Sequence, residues 1–259
     1  MKQELRAYLE STLKEVAIDC TIFGFHAHEL KILLLRWKGT NAWSLPGGRI
    51  FPEESVQSAA YRILQERTGL KEVFLQQFHT FGDADRYKNF SASETLKILE
   101  KTLEEDLSDL DLTARVVSIG YFALVEFEQV VPVPDFYTEE CRWWEISELP
   151  LLLFDHNEMI GMALKALRRQ LNYQPIGYNL LPEKFTMPEL QKLYESILGR
   201  QLDRRNFQKM ILSYDILEKL PEKRRGTANR SPFLYRFDKQ KYERALSEGI
   251  FFPFQGEKF

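Results

Sequence analysis

The stretch from Leu45 to Leu70, LPGGRIFPEESVQSAAYRILQERTGL, constrains this chain more than any other. Pro46, Gly47 and Gly48 break regular structure and set up a loop. From Ser55 to Thr68 the apolar residues Val56, Ala59, Ala60, Ile63 and Leu64 fall at helical spacing, which predicts a helix with one buried face. Gly69 stands where a helix needs a left-handed C-cap.

The flanking segments supply the rest of a domain. VAIDCTIFGF (16–25) and LKILLLRW (30–37) are rich in β-branched and aromatic residues and read as strands joined by the turn HAHE. Residues 73–82 and 115–127 read as further strands, and RWWEISELP as a strand and turn. Residues 4–15 and 155–171 are helix-patterned. Within the acidic stretch at 90–112, Leu96, Leu99, Leu103, Leu107 and Leu110 form one stripe, suited to packing on its own domain or in a dimer. Trp143, Trp144 and Phe154 are expected in the core. Asp155 reads as the N-cap of the last helix, with His156 packing nearby.

The excluded classes follow from simple bounds. The chain has 259 residues, 44% hydrophobic and 28% charged, enough to fill a sizeable core. The apolar runs are too short to span a membrane. The N-terminal MKQELRAYLESTLKEV is charged and lacks the apolar stretch of a signal peptide, so a cytoplasmic location is expected. Cys20 and Cys141 read as buried free thiols, and no zinc-type spacing occurs.

Seven positions between Gly48 and Leu70 match the Nudix box, G-x5-E-x7-R-E-U-x-E-E-x-G-U: Gly48, Glu54, Arg62, Leu64, Glu66, Gly69 and Leu70. The preceding LPG resembles the usual lead-in. The resemblance implies an α/β/α sandwich. It also implies a helix whose carboxylates hold divalent metal against a pyrophosphate and activate water. Two of those carboxylates are replaced here, one by Ile63 and one by Arg67. Isoleucine cannot ligate, and a fixed positive charge about 4 Å from a cation repels it by roughly 4 kcal/mol per unit charge. No metal, no other cofactor and no pyrophosphohydrolase activity are expected from this box.

A net charge of −3 hides an asymmetry: acids exceed bases up to Asn172, and bases exceed acids from Tyr173 onward. The Pro/Gly-containing YQPIGYNLLPEKFT marks a boundary, giving expected domains 1–172 and 173–259. Beyond it PELQKLYESIL is a helix, GRQL a turn, and Asp203 a good N-cap for a second helix reaching to about Leu220. That helix opens with Arg204, Arg205 and Asn206, then Lys209, with Phe207, Met210, Ile211 and Leu217 on its buried side. Lys223, Arg224, Arg225 and Arg230 surround a Gly-Thr-Ala-Asn turn before the strand FLYRF. The segment resembles a winged helix-turn-helix, in which the second helix reads bases and the basic hairpin grips phosphates.

The whole fold class expected is therefore α+β: a Nudix-type sandwich followed by a winged helix. Together with HTFGDADR, RVVSIGYFALV, FDH and QPIGYNLLPEKFT, the two halves resemble the Nudix-related transcriptional regulators of bacteria. That resemblance implies a homodimer on double-stranded operator DNA, with a small effector bound in a non-catalytic Nudix domain. The effector would be an ADP-ribose-like nucleotide or a pentose such as arabinose, held near Arg49, Glu54, Arg86 and His156. The competing reading is a Nudix hydrolase of ADP-ribose or a related nucleoside diphosphate, with metal on Glu54, Glu66 and acids outside the box.

Overall fold

A computed structural model of the chain describes residues 2–71, 73–86, 92–107, 115–136, 138–171, 176–224 and 231–248. Its first half is organised by β1 (Val16–His26), which is buried on both faces from Cys20 to Gly24. Such two-sided burial explains the unbroken apolar run in its sequence. The elements before and after it are α1 (Lys2–Glu10), β2 (Glu29–Trp37), β3 (Trp43–Ser44), β4 (Gly47–Arg49), α2 (Val56–Thr68), β5 (Phe74–Phe81), α3 (Ala92–Leu103), β6 (Val117–Val125), β7 (Thr138–Glu145) and α4 (His156–Gln170).

Among the described residues seven strands form one mixed sheet. Its path runs β3-β2-β1-β6-β5, with β4 added to β1 and β7 to β2. β1 and β6 run parallel, from Val16 opposite Val117 to Gly24 opposite Val125. The α2 face that carries Ala59, Ala60, Ile63 and Leu64 packs with Ile18, Cys20, Ile22, Leu33, Tyr121, Ala123 and Val125. Burial pushes the Cys20 thiol up, and the Cys141 thiol up to about 12, so both stay protonated at neutral pH.

The second half contains β8 (Phe185–Thr186), α5 (Met187–Leu198), α6 (Arg204–Ser213), β9 (Leu217–Lys223), β10 (Phe233–Phe237) and α7 (Lys239–Glu248). Its sheet has the order β8-β10-β9. Helix, turn, helix and hairpin make a winged helix, so the fold class is α+β as expected. The chain divides into two compact units, 1–24 with 31–163 and 25–30 with 164–259. The expected boundary between Asn172 and Tyr173 lies outside the described residues.

Several expected bounds shift. α1 ends at Glu10, not 15. Leu99 and Leu107 are buried in one cluster with Leu5, Trp37 and Leu153, so these two leucines pack on their own domain. Leu107 lies beyond the end of α3, and Leu110 lies outside the described residues. The largest correction is α6, which stops at Ser213. Asp215 adopts a positive φ of 52°, and the chain turns into β9 instead of continuing to Leu220. Pro221 could not have continued that helix.

Both helices of the pair are capped. The Thr186 hydroxyl accepts from the Glu189 amide at 3.3 Å, and the Glu189 carboxylate accepts from the Thr186 amide at 2.7 Å. This reciprocal box starts α5, and Gly199 closes it at a φ of 70°. Thr186→Ala should lower the unfolding free energy by about 1 kcal/mol in a urea titration. An unchanged midpoint would show that the box adds nothing to stability.

Candidate functional site

The loop between β3 and α2 lies tightly against β1. A Cβ on Gly47 would come within 2.4 Å of the Asp19 carboxylate, and one on Gly48 within 3.2 Å of Ile63. Close approach to the Ile18 carbonyl and the Asp19 carboxylate therefore requires a glycine at 47, while a side chain at 48 would press on Ile63. Arg62 fixes the loop to the helix. Its Nε donates to Glu54 at 3.0 Å, and its Nη2 to Glu54 at 2.5 Å and to the Arg49 carbonyl at 2.8 Å. Nη1 reaches Glu66 at 3.5 Å. The Arg62 hydrogen bond holds the Glu54 carboxyl below its ordinary range, with a smaller contribution from the Phe51 amide.

Both acids that survive from the metal-binding pattern are thus held by an arginine. The two replaced positions are occupied in different ways. Ile63 is fully buried and belongs to the core under the sheet. Arg67 is 9% exposed and pairs with Asp135 at 3.3 Å, closer than its neighbour Glu66 at 3.8 Å. The Arg67 and Thr68 carbonyls accept from the Val133 and Val131 amides, so the 131–135 segment is tied to the end of α2. Among the described residues no group of three or more His, Cys, Asp or Glu is arranged to hold a metal. Asp135 was missed in the sequence because nothing in VPVPD signals a partner 68 residues away.

The four expected effector residues fall into two sets. Glu54 and Arg49 lie at the loop, both half-buried; the Arg49 amide donates to the Tyr8 hydroxyl at 2.7 Å. Arg86 and His156 are buried in a polar network. Arg86 binds Asp155 through Nε at 3.1 Å and Nη2 at 2.9 Å, and donates to the Phe81 and Val116 carbonyls. The Asp155 carboxylate therefore serves Arg86, although the Asp155 carbonyl does accept from Met159 in the first turn of α4. His156 packs locally against Phe154, with ring centroids 5.2 Å apart, and also reaches across the fold. Its Nδ1 accepts from the Leu45 amide at 2.9 Å, and its Nε2 faces Asp19 at 3.5 Å. The same Asp19 accepts from the Ser118 hydroxyl. The histidine thereby joins the start of α4 to β1 and to the head of the glycine loop.

The expected DNA-binding residues also divide. Asp203 caps α6 by accepting from the Asn206 amide at 2.9 Å. Arg204, Arg205, Asn206 and Lys209 are exposed on α6, while Phe207 and Ile211 are buried beneath them. Lys223 is exposed at the end of β9. Arg224 is instead turned to Glu189, with Nη2 at 2.6 and 2.7 Å from its two carboxylate oxygens. Burial raises the Glu189 pKa, but hydrogen bonds from Arg224 and Thr186 outweigh it and hold the carboxyl below its usual range. Arg225 and Arg230 lie outside the described residues.

A mixed-sheet domain with a Nudix box, joined to a winged helix, defines a two-part protein with a ligand-binding fold and a DNA-binding fold. The NUDIX domain family matches residues 13–163, and the family described as the NrtR DNA-binding winged helix domain matches residues 177–237. The chain belongs to the Nudix family and carries an NrtR-type winged helix. Among curated proteins it is similar to the ADPR responsive transcriptional repressor NtrR of Acinetobacter baylyi. The two are 27% identical over 235 residues, which cover 88% of this chain and 84% of that protein. Shewanella oneidensis NrtR, solved in complex with a 27mer DNA, has a TM-score of 0.68 at 24% identity and covers 88% of this chain and 95% of its own. A MutT/nudix family protein from Enterococcus faecalis has a TM-score of 0.61 at 22% identity, covering 92% and 93%. Among the described residues no helix is long and apolar enough to cross a membrane.

His156 gives the site a pH dependence. Burial pushes its pKa below the ordinary 6.5, against the opposing pull of Asp19 and Asp155. Below that pH the unfolded chain binds a proton that the folded chain refuses. The stabilising contribution is therefore complete above about pH 6.5 and is lost as pH falls toward the lowered folded value. Unfolding free energy should decline on going from about pH 7.5 to about pH 5.5, and His156→Asn, which keeps an acceptor for Leu45, should flatten that decline. Equal slopes in the two proteins would refute this role.

Proposed function

We propose that the chain is a transcriptional regulator of the repressor type. Its winged helix binds operator DNA, and its Nudix unit senses ADP-ribose without hydrolysing it. The observation that carries the reading is the exposed N-terminal face of α6, where Arg204, Arg205, Asn206 and Lys209 stand over a buried Phe207 and Ile211. Arginine reads guanine and asparagine reads adenine by paired hydrogen bonds in the major groove. A homodimer would place two such helices on the half-sites of a pseudo-palindromic operator.

ADP-ribose is preferred to a pentose as effector because the similar Acinetobacter baylyi repressor is named as responsive to it. The non-catalytic reading rests on Ile63, Arg67 and Arg62. The first cannot ligate metal, the second carries a fixed cation beside Glu66 and Asp135, and the third engages Glu54 and Glu66. Arg49 and Glu54, at the loop, are the proposed effector contacts. Arg86 and His156 act from behind it by holding Asp155, Leu45 and Asp19 in place.

Two measurements test the parts separately. On an operator selected from random DNA, Arg205→Ala should cost about 1–3 kcal/mol, with a much smaller loss on unselected DNA. A selection that enriches no sequence would reject DNA reading. ADP-ribose should raise the melting temperature and weaken operator binding, where arabinose and xylose do neither. AMP release with Mg²⁺ or Mn²⁺ should stay far below an ordinary enzymatic rate of about 1 s⁻¹. Turnover near that rate would restore the hydrolase reading.

A further inference from the structure

On β9 and β10 the charges are sorted. The two acids of β9 are each engaged by a cation: Glu218 by Arg236 at 2.7 Å and Glu222 by Lys184 at 2.9 Å. Arg224, at the end of the strand, is engaged by Glu189. Lys219 and Lys223 are different. Among the described residues neither has a carboxylate partner, and both ammonium groups lie over the ring of Phe233, at 3.9 and 4.7 Å from its centroid. Phe233 itself is 38% exposed.

This convergence depends on a backbone irregularity. Four residues of regular strand span roughly 13 Å, too far for two lysines at its ends to share one ring easily. Here Lys223 opposes Phe233 and Lys219 opposes Tyr235, so the same four-residue step on β9 faces a two-residue step on β10. The bulge contains Pro221, which has no amide hydrogen for a regular ladder. It shortens β9 and brings both lysines over Phe233.

We infer that Lys219, Phe233 and Lys223 form a preset contact for two phosphates of the DNA backbone, with Phe233 as the residue that positions both ammonium groups. The inference rests on the DNA-binding reading above and adds two residues, Lys219 and Phe233, that sequence reasoning did not single out. It also removes Arg224 from the phosphate contacts: that arginine is a strut between the hairpin and the start of α5. The ring fixes the two side chains before DNA arrives, so less rotamer freedom is lost on binding. Because phosphates carry no base identity, the contact strengthens operator and unselected DNA alike.

The test is a salt-dependent titration of full-length protein with selected operator and with random duplex. Lys219→Met and Lys223→Met should each lower the salt slope by about one unit. Arg224→Gln should leave the slope unchanged. Phe233→Leu should keep the slope but weaken both DNAs by about fivefold, while Phe233→Tyr, which retains the ring, should bind as wild type. Circular dichroism confirms that each variant is folded. If Arg205→Ala weakens operator binding while the Phe233 and lysine variants bind as wild type, only the wing inference is overturned. A slope that falls for Arg224→Gln and not for the lysines overturns it as well. Wild-type protein that binds no DNA overturns both readings together.

Discussion

The clamp made by Arg62 holds the N-terminal unit's site together. One guanidinium engages Glu54 across the loop, the Arg49 carbonyl at its root and Glu66 one turn along the helix. Its cationic plane also covers Phe51, 4.4 Å from the ring centroid. The loop is drawn close enough to β1 to need a glycine at 47, and Ile63 of the helix lies beside Gly48. Retention of the clamp keeps the loop and helix of the Nudix box together while Ile63 and Arg67 stand at two of its carboxylate positions.

Charge at the far end of the same helix is arranged in the opposite sense from a metal site. There a hydrolase gathers carboxylates and lets a mobile dication neutralise them. Here the neutralising charge is covalently attached as Arg67, between Glu66 and Asp135. A buried ion pair is weak evidence of net stabilisation, yet losing one partner strands the other. The 131–135 segment is therefore fastened to α2 by a cation that cannot dissociate.

The winged helix shows the same economy of charged groups. Glu189 closes the capping box of α5 and also receives Arg224 from the end of β9. A residue used to start a helix thus also orients the hairpin. Among the described residues, the exposed cations of the strand without a carboxylate partner are two lysines over the Phe233 ring, and the arginines of α6 face solvent.

Much of this was legible in the residues. Periodicity marked α2 and the buried face of Ile63 and Leu64, glycine and proline marked the loop, and Asp203 marked the start of α6. These signals are local, since a helical stripe or a cap is complete within one or two turns. The end of α6 was misplaced because Leu217 and Leu220 continue an apolar spacing that strand pairing with β10 overrides. Pairings across the chain left no such trace. Asp135 for Arg67, Asp155 for Arg86, Leu45 and Asp19 for His156, and Glu189 for Arg224 lie 20 or more residues apart in sequence, with the one exception that neighbouring Glu66 also reaches Arg67. Charge and residue type show that an arginine or a histidine can be engaged. Which partner engages it depends on burial, which removes competing water and leaves the nearest folded-chain group to satisfy the charge.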